Sequence, residues 1–163
     1  MDVSSKAFAT ATLLEQARLA ASNLYPKLLS LCSSVQSSSH DVEELAITIA
    51  KFPSRFEDFE FAIRQNHFIH RPEMYENVKT IVERCQDIFG ILSKKVEAIE
   101  KQGVAEKIDI GVLCNGADGA HDTKLVAKLE SFWSALGMLL QVVHHTRSIT
   151  SAIDGWEIMN NRC

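Results

Sequence analysis

Apolar residues recur with helical spacing over four stretches of this chain, and the least ambiguous of them is Lys124 to Thr150. Leu125, Leu129, Phe132, Leu136, Leu139 and Val143 alternate spacings of four and three, which lays them along one stripe of an α-helix. Trp133, Leu140 and Val142 widen that stripe until only Lys124, Lys128, Glu130, Ser134 and Gln141 read as plainly solvated. A helix apolar on more than one side touches neighbours on more than one side, so the expectation is that this segment forms the centre of a bundle.

From Ser5 to about Val35, a second stripe runs through Leu13, Ala17, Ala20, Leu24, Leu28 and Leu31, with alanines that favour helix and permit close packing. Pro26 interrupts it, which predicts either a kink near Tyr25 or two helices in series. The run from Ser33 to Ser39 carries no apolar period and reads as a connection with a turn at Ser37 to His40. The next segment has Ser39 or Asp41 available as N-cap and Glu43 and Glu44 in its first turn, where the helix dipole favours negative charge. Val42, Leu45, Ile49, Phe52, Phe56, Phe59 and Ile63 follow a strict three-four alternation, the pattern of a helix lying along a partner at a shallow angle. Pro53 falls off that stripe, so the register survives it while the backbone bends.

Between Glu73 and Lys101, Val78, Ile81, Cys85, Ile88, Leu92 and Ile99 make a further stripe, with Lys94, Lys95 and Lys101 near its C-terminal end and Gly103 as a stop. Residues 103–122 hold the turn pairs Asn115-Gly116 and Asp118-Gly119 and read as a long loop. After Arg147, Ile149, Ile153, Trp156 and Met159 predict a short helical appendage packed on the bundle, with a frayed tail at 160–163. The expectation is one all-α domain over 1–163: an up-and-down bundle of four main helices, proline bends in the first two, and that appendage.

Composition narrows the function classes. At 163 residues the chain can bury a sizeable core, and 46% hydrophobic with 23% charged residues is ordinary for a globular protein. A net charge of −4, with both signs spread along the chain, gives no electrostatic reason to expect nucleic acid. Cys32, Cys85, Cys114 and Cys163 include no C-x-x-C pair, so reduced thiols in the cytoplasm are expected rather than a metal knuckle or disulfide framework. Glu15, Gln16 and Arg18 break the N-terminal apolar residues, which reads against a secretory signal. No window is expected to reach the length and freedom from charge of a constitutive membrane span.

Candidate chemistry is sparse. His67 and His70 sit three apart as a potential ligand pair, but Pro72 separates them from Glu73, and metal sites want three or four ligands. His144 and His145 near the end of the fourth helix suit the dipole better than a catalytic pair. Glu57, Asp58 and Glu60 beside Arg55 and Arg64 read as a salt-bridged, solvated face. Gly111, Gly116 and Gly119 match no phosphate loop, Asp109, Asn115, Asp118 and Asp122 lack calcium-loop spacing, and Cys114 near His121 is no more than a sequence neighbourhood. No catalytic residue, cofactor or metal is predicted.

Three stretches, MDVSSKAFATATLLEQARLAASNLY, HDVEELAITIAKFPSRFEDFEFAI and VAKLESFWSALGMLLQVV, resemble the fungal N-terminal helical domain found ahead of nucleotide-binding STAND proteins, a domain type also named after a protein of azaphilone-pigment gene clusters. Val126, Leu129, Trp133, Leu136 and Leu140 stand close to the late leucine-rich motif of that family. The resemblance covers most of the chain and implies a signalling and assembly module that presents a helical face to a protein partner or to itself. Trp156, Ile158 and Met159 are the candidate interaction face. The more hydrophobic N-terminus common in the family is interrupted by Lys6, Glu15 and Arg18, which argues against membrane insertion. The alternative is a small-molecule-binding or cyclising protein of a secondary-metabolite pathway, with an apolar pocket for a small apolar ligand near Phe52, Phe56, Phe59 and Trp133 and with His67 or His144 at its rim.

Overall fold

Thr10, Leu14, Ala17, Ala21, Leu24, Leu28 and Leu31 are the buried residues of the first helix and keep an unbroken alternation of four and three. The expected stripe through Leu13 and Ala20 is thus displaced by one position at its start, and both of those residues are only partly buried. The computed structural model describes residues 2–34, 39–65, 71–102 and 125–160, with the side chains of Ser39, Gln102 and 155–160 outside the description. Among the described residues there are five helices: α1 Val3–Ser34, α2 Ser39–Ala50, α3 Phe52–Arg64, α4 Glu73–Gln102 and α5 Leu125–Asn160. No strand occurs among the described residues, and the fold is an all-α bundle of four legs, the second of which is α2 and α3 in series.

Polar contacts between legs set their directions. Lys6 pairs with Glu76, the Gln86 amide donates to the Leu13 carbonyl, and Lys27 pairs with Glu97, so α1 and α4 run parallel. Arg18 reaches Glu60 while the Glu43 carboxylate acts on Cys32, which makes the α2–α3 leg antiparallel to α1. Lys51 meets Glu130 and Arg55 lies over Trp133, so α5 runs parallel to the α2–α3 leg. The order is up, down, up, down.

The centre of the bundle is α1, which corrects the expectation that the last long helix occupies it. α1 packs extensively along α2, α3 and α4, whereas α5 lies lightly against α2, α3 and α4. Small side chains explain the choice. Ala17 and Ala21 on α1, Ala46 on α2 and Ala62 on α3 are essentially fully buried, and helices approach most closely where side chains are short.

Both proline expectations resolve in physical terms. α1 continues through Pro26: the proline and Ser22, whose carbonyl loses its helical partner, are both exposed, so the lost bond falls on the solvent side of the helix. At Pro53 the bend is a handover between helices. Lys51 N–H bonds to the Thr48 carbonyl at 3.3 Å, and Pro53 stands in the first turn of α3, where no intrahelical donor is required. All seven residues of the predicted second stripe are buried, so the apolar register passes through the handover intact. Phe52 contacts Phe56 and Phe89 with ring centroids 5.6 Å apart in each case, tying α3 to α4.

The separate C-terminal appendage is also corrected, because α5 is one continuous helix of 36 residues to Asn160, about 54 Å long. α4 ends at Gln102, next to the predicted stop at Gly103. The loop 103–122 and residues 161–163 of the tail lie outside the described residues.

Candidate interaction surface

α5 has two apolar faces. Leu129, Leu136, Leu140 and Val143 are buried against the other legs. Met138, Val142, Ile149 and Ile153 are 63%, 42%, 51% and 54% exposed. At about 100° per residue the centres of these two sets lie on the order of 140° apart, on nearly opposite sides of the helix.

The two faces end at different places. Carried along the helices, the pairings of Lys51 with Glu130 and Arg55 with Trp133 bring Arg64, the last residue of α3, level with Val143. Val143 is the last buried residue among the described side chains of α5, and none from His144 to Asp154 is buried. Beyond that point the inward side of the helix carries Arg147, Thr150, Ser151 and Asp154, none of them buried. The outward side stays apolar through Ile149 and Ile153.

Between Glu130 and Asp154 the only charged residue among Asp, Glu, Lys and Arg is Arg147. One consequence overturns the expectation about membrane-length windows: Leu125–Asp154 is long and apolar enough, by length and composition, to cross a membrane, and 22% of its apolar window is buried. Apolar residues on the second face, which the bundle does not need, lift the segment to that level.

Near its start α5 is held by a charged cluster. The Lys51 ammonium donates to Glu130 at 2.8 Å, and the Arg55 guanidinium sits 4.3 Å from the Trp133 ring centre. The Trp133 Nε1–H is buried and has no hydrogen-bond partner among the described residues. Among the described residues two shallow grooves open, the second beside this cluster. One of about 360 Å³ lies between α1 and α3 along Phe8, Ala11, Ile63 and Glu60, and one of about 340 Å³ lies along His40, Glu43, Ile47, Lys51 and Glu130.

The predicted site residues are distributed as follows. Trp156, Ile158 and Met159 belong to the last turns of α5, and their side chains lie outside the description, as does His67 altogether. Phe52, Phe56 and Phe59 are wholly buried in the core, Trp133 is half-buried beside Arg55, and His144 is exposed on α5 with its carbonyl accepting from Ser148 at 3.1 Å. The structure brings Phe52 and Phe56 together and leaves His144 apart from them, beyond the last buried turn of α5. The face read as solvated around Glu60 is different in part. Glu60 is buried, bonded to Arg18 Nε at 3.2 Å with Arg64 at 3.6 Å. Among the described residues no three His, Cys, Asp or Glu side chains gather as a metal site. Burial pushes the Cys85 thiol up to about 12, and burial with the Glu43 carboxylate raises Cys32, so both thiols are held in the less nucleophilic protonated form.

Met138, Val142, Ile149 and Ile153 as an exposed set are what sequence reasoning missed. The available signal was an excess: α5 holds more apolar residues than one buried face uses, arranged on two sides. No known family, curated protein or solved structure matches the chain.

Proposed function

We propose that the chain is a non-catalytic helical interaction module, of the kind that precedes nucleotide-binding domains in fungal STAND proteins, acting in signalling or assembly in the cytoplasm. The observation that carries this reading is the outward face of α5, four large apolar side chains in line on a helix none of whose residues from His144 to Asp154 is buried. Exposed apolar residues scattered singly need no explanation, but a contiguous strip rimmed by polar residues marks a contact site. Covering such side chains stabilises a complex by about 1 kcal/mol or more each, since full burial is worth roughly 1.5–3 kcal/mol and these are about half exposed already.

Helix propensity supports the same reading. Thr146, Ser148, Ile149, Thr150, Ser151, Ile153 and Gly155 are weak helix formers crowded into the half of α5 with least packing. A partner that buries the outward face supplies the order that propensity does not. The polar inward side of this half, with Arg147 and Asp154, favours a partner covering one face over a bilayer surrounding the helix. A buried thiol at Cys85 suits a reducing compartment.

Hydrogen exchange on the dilute chain tests the proposal. Amides from His144 to Asp154 are expected to exchange orders of magnitude faster than those of α1, because opening there disrupts little tertiary packing. Protection equal to that of α1 at concentrations too low for association means that the chain covers this face itself, and the proposal fails.

A further inference from the structure

We infer that the outward face of α5 pairs with the same face of a second copy of this chain. The inference rests on the interaction reading above and names the partner. Met138, Val142, His145, Ile149 and Ala152 are spaced four, three, four and three, and all five are exposed, so they form a coiled-coil seam on the side of α5 away from the bundle. In the sequence the same spacing continues at Trp156 and Met159. Val142 and Ile149 occupy alternate seam positions as β-branched residues, a pattern that suits two helices packed knobs-into-holes.

The positions flanking the seam decide between a copy and a foreign helix. Coiled coils choose partners through charges beside the seam, which repel identical chains or attract complementary ones. Here the flanks are Leu139, Gln141, Thr146, Ser148 and Ile153, all uncharged. Arg147 and Asp154 point to the opposite side, so two copies meet without like charges facing one another. Among the described residues nothing covers the seam, since Met138, Val142, His145, Ile149 and Ala152 are all exposed. An isologous contact of this kind closes on itself and gives a dimer.

Size sets the affinity. From their fractional exposure the four large residues leave on the order of 400 Å² per copy, about half the ~800 Å² each partner contributes to a standard interface. The dimer is therefore a weak, concentration-dependent one, with a dissociation constant of roughly micromolar order. His145, a polar residue in the middle of the seam, lowers the affinity further and helps to set the register.

Sedimentation velocity on the full chain from low to high micromolar concentration tests this, with Ile149→Glu, His145→Leu and, as a control on a different exposed apolar residue, Phe8→Glu. The wild type and Phe8→Glu are expected to shift from monomer to dimer with concentration. Ile149→Glu is expected to stay monomeric, its dissociation constant raised at least about tenfold by a charge in the seam. His145→Leu is expected to dimerise several-fold more tightly. Ile149 is half exposed, so its variant should keep the helical circular-dichroism signal of the wild type; Val142→Glu repeats the test on a second seam residue. A wild type that remains monomeric, or a dimer indifferent to both glutamates, overturns the inference. Fast exchange from His144 to Asp154 in such a monomer leaves the interaction reading standing with another partner, whereas slow exchange there removes both. Binding of the monomer to phosphatidylcholine–phosphatidylserine vesicles, lost in Ile149→Glu, also overturns it and assigns the face to a membrane surface.

Discussion

Phe52→Ala is the substitution with the largest calculable consequence. Phe52 opens α3, is wholly buried, and meets Phe56 at a 44° tilt and Phe89 nearly edge-on at 80°. Its ring therefore joins the α2–α3 handover to α4. Truncation removes a buried aromatic worth roughly 1.5–3 kcal/mol in transfer free energy alone. The cavity left behind brings the total to about 3–5 kcal/mol, the range for buried Phe→Ala substitutions. In a domain of this size 1 kcal/mol moves the melting temperature by about 2–4 °C, so a fall on the order of 6–20 °C is expected. Urea unfolding followed by circular dichroism measures the free energy directly, and an unchanged slope against denaturant confirms that compactness is retained. Phe52→Leu keeps most of the volume and should cost about 1–1.5 kcal/mol. A loss below about 1 kcal/mol for Phe52→Ala refutes the close packing assumed here, because a ring lining an open pocket has little surrounding to lose. That outcome would revive the alternative of an apolar ligand site among Phe52, Phe56, Phe59 and Trp133.

Other consequences follow from single contacts. Glu60→Ala should destabilise by about 1–3 kcal/mol, below the full cost of breaking a buried pair because Arg18 keeps a third of its side chain exposed and can rehydrate. Adding Arg18→Ala should then cost much less than it does in the wild type, and additive losses in a double-mutant cycle would show the pair to be uncoupled. Gly90→Ala should stabilise by about 0.5–1 kcal/mol, since nothing stands within 4 Å of the added Cβ and the helix loses its most flexible residue; a lower melting temperature would contradict that geometry. The Cys85 thiol, moved from 9.0 to about 12 by burial, stays neutral in the folded chain while the unfolded chain ionises near the ordinary value. Its contribution is complete below pH 9 and is lost at up to about 1.4 kcal/mol per pH unit between 9 and 12, so Cys85→Ala should show a shallower alkaline decline in stability than wild type; parallel declines would refute it.

Much of the fold was legible because helical periodicity is a local property. Val42, Leu45, Ile49, Phe52, Phe56, Phe59 and Ile63 could be identified as one buried stripe although a helix boundary and a proline fall inside it, since a one-residue handover preserves the angular register. Val78, Cys85 and Leu92 were equally readable on α4. The first helix was harder. Its alternating small residues make Leu13 and Leu14, or Ala20 and Ala21, nearly equivalent by pattern, and packing against three neighbours chose the second of each pair. Glu60 was misread as solvated because a carboxylate in a charged run looks exposed until Arg18, on another helix, arrives to pair it.

Spacing along the chain was enough to settle the helical class, the extent of the first three legs and most of the core residues, because each depends on positions within one segment. Which helix stands at the centre, and which surface remains outside, depended on how the helices came together. An apolar residue on α5 reads identically whether its neighbour is α4, another molecule or water, and α5, richest in apolar residues, looked central for that reason. The short side chains of Ala17, Ala21, Ala46 and Ala62 let α1 approach three helices at once and take that place. With the centre filled, α5 buries one of its two apolar faces and, among its described side chains, only as far as Val143, level with the end of the neighbouring α3.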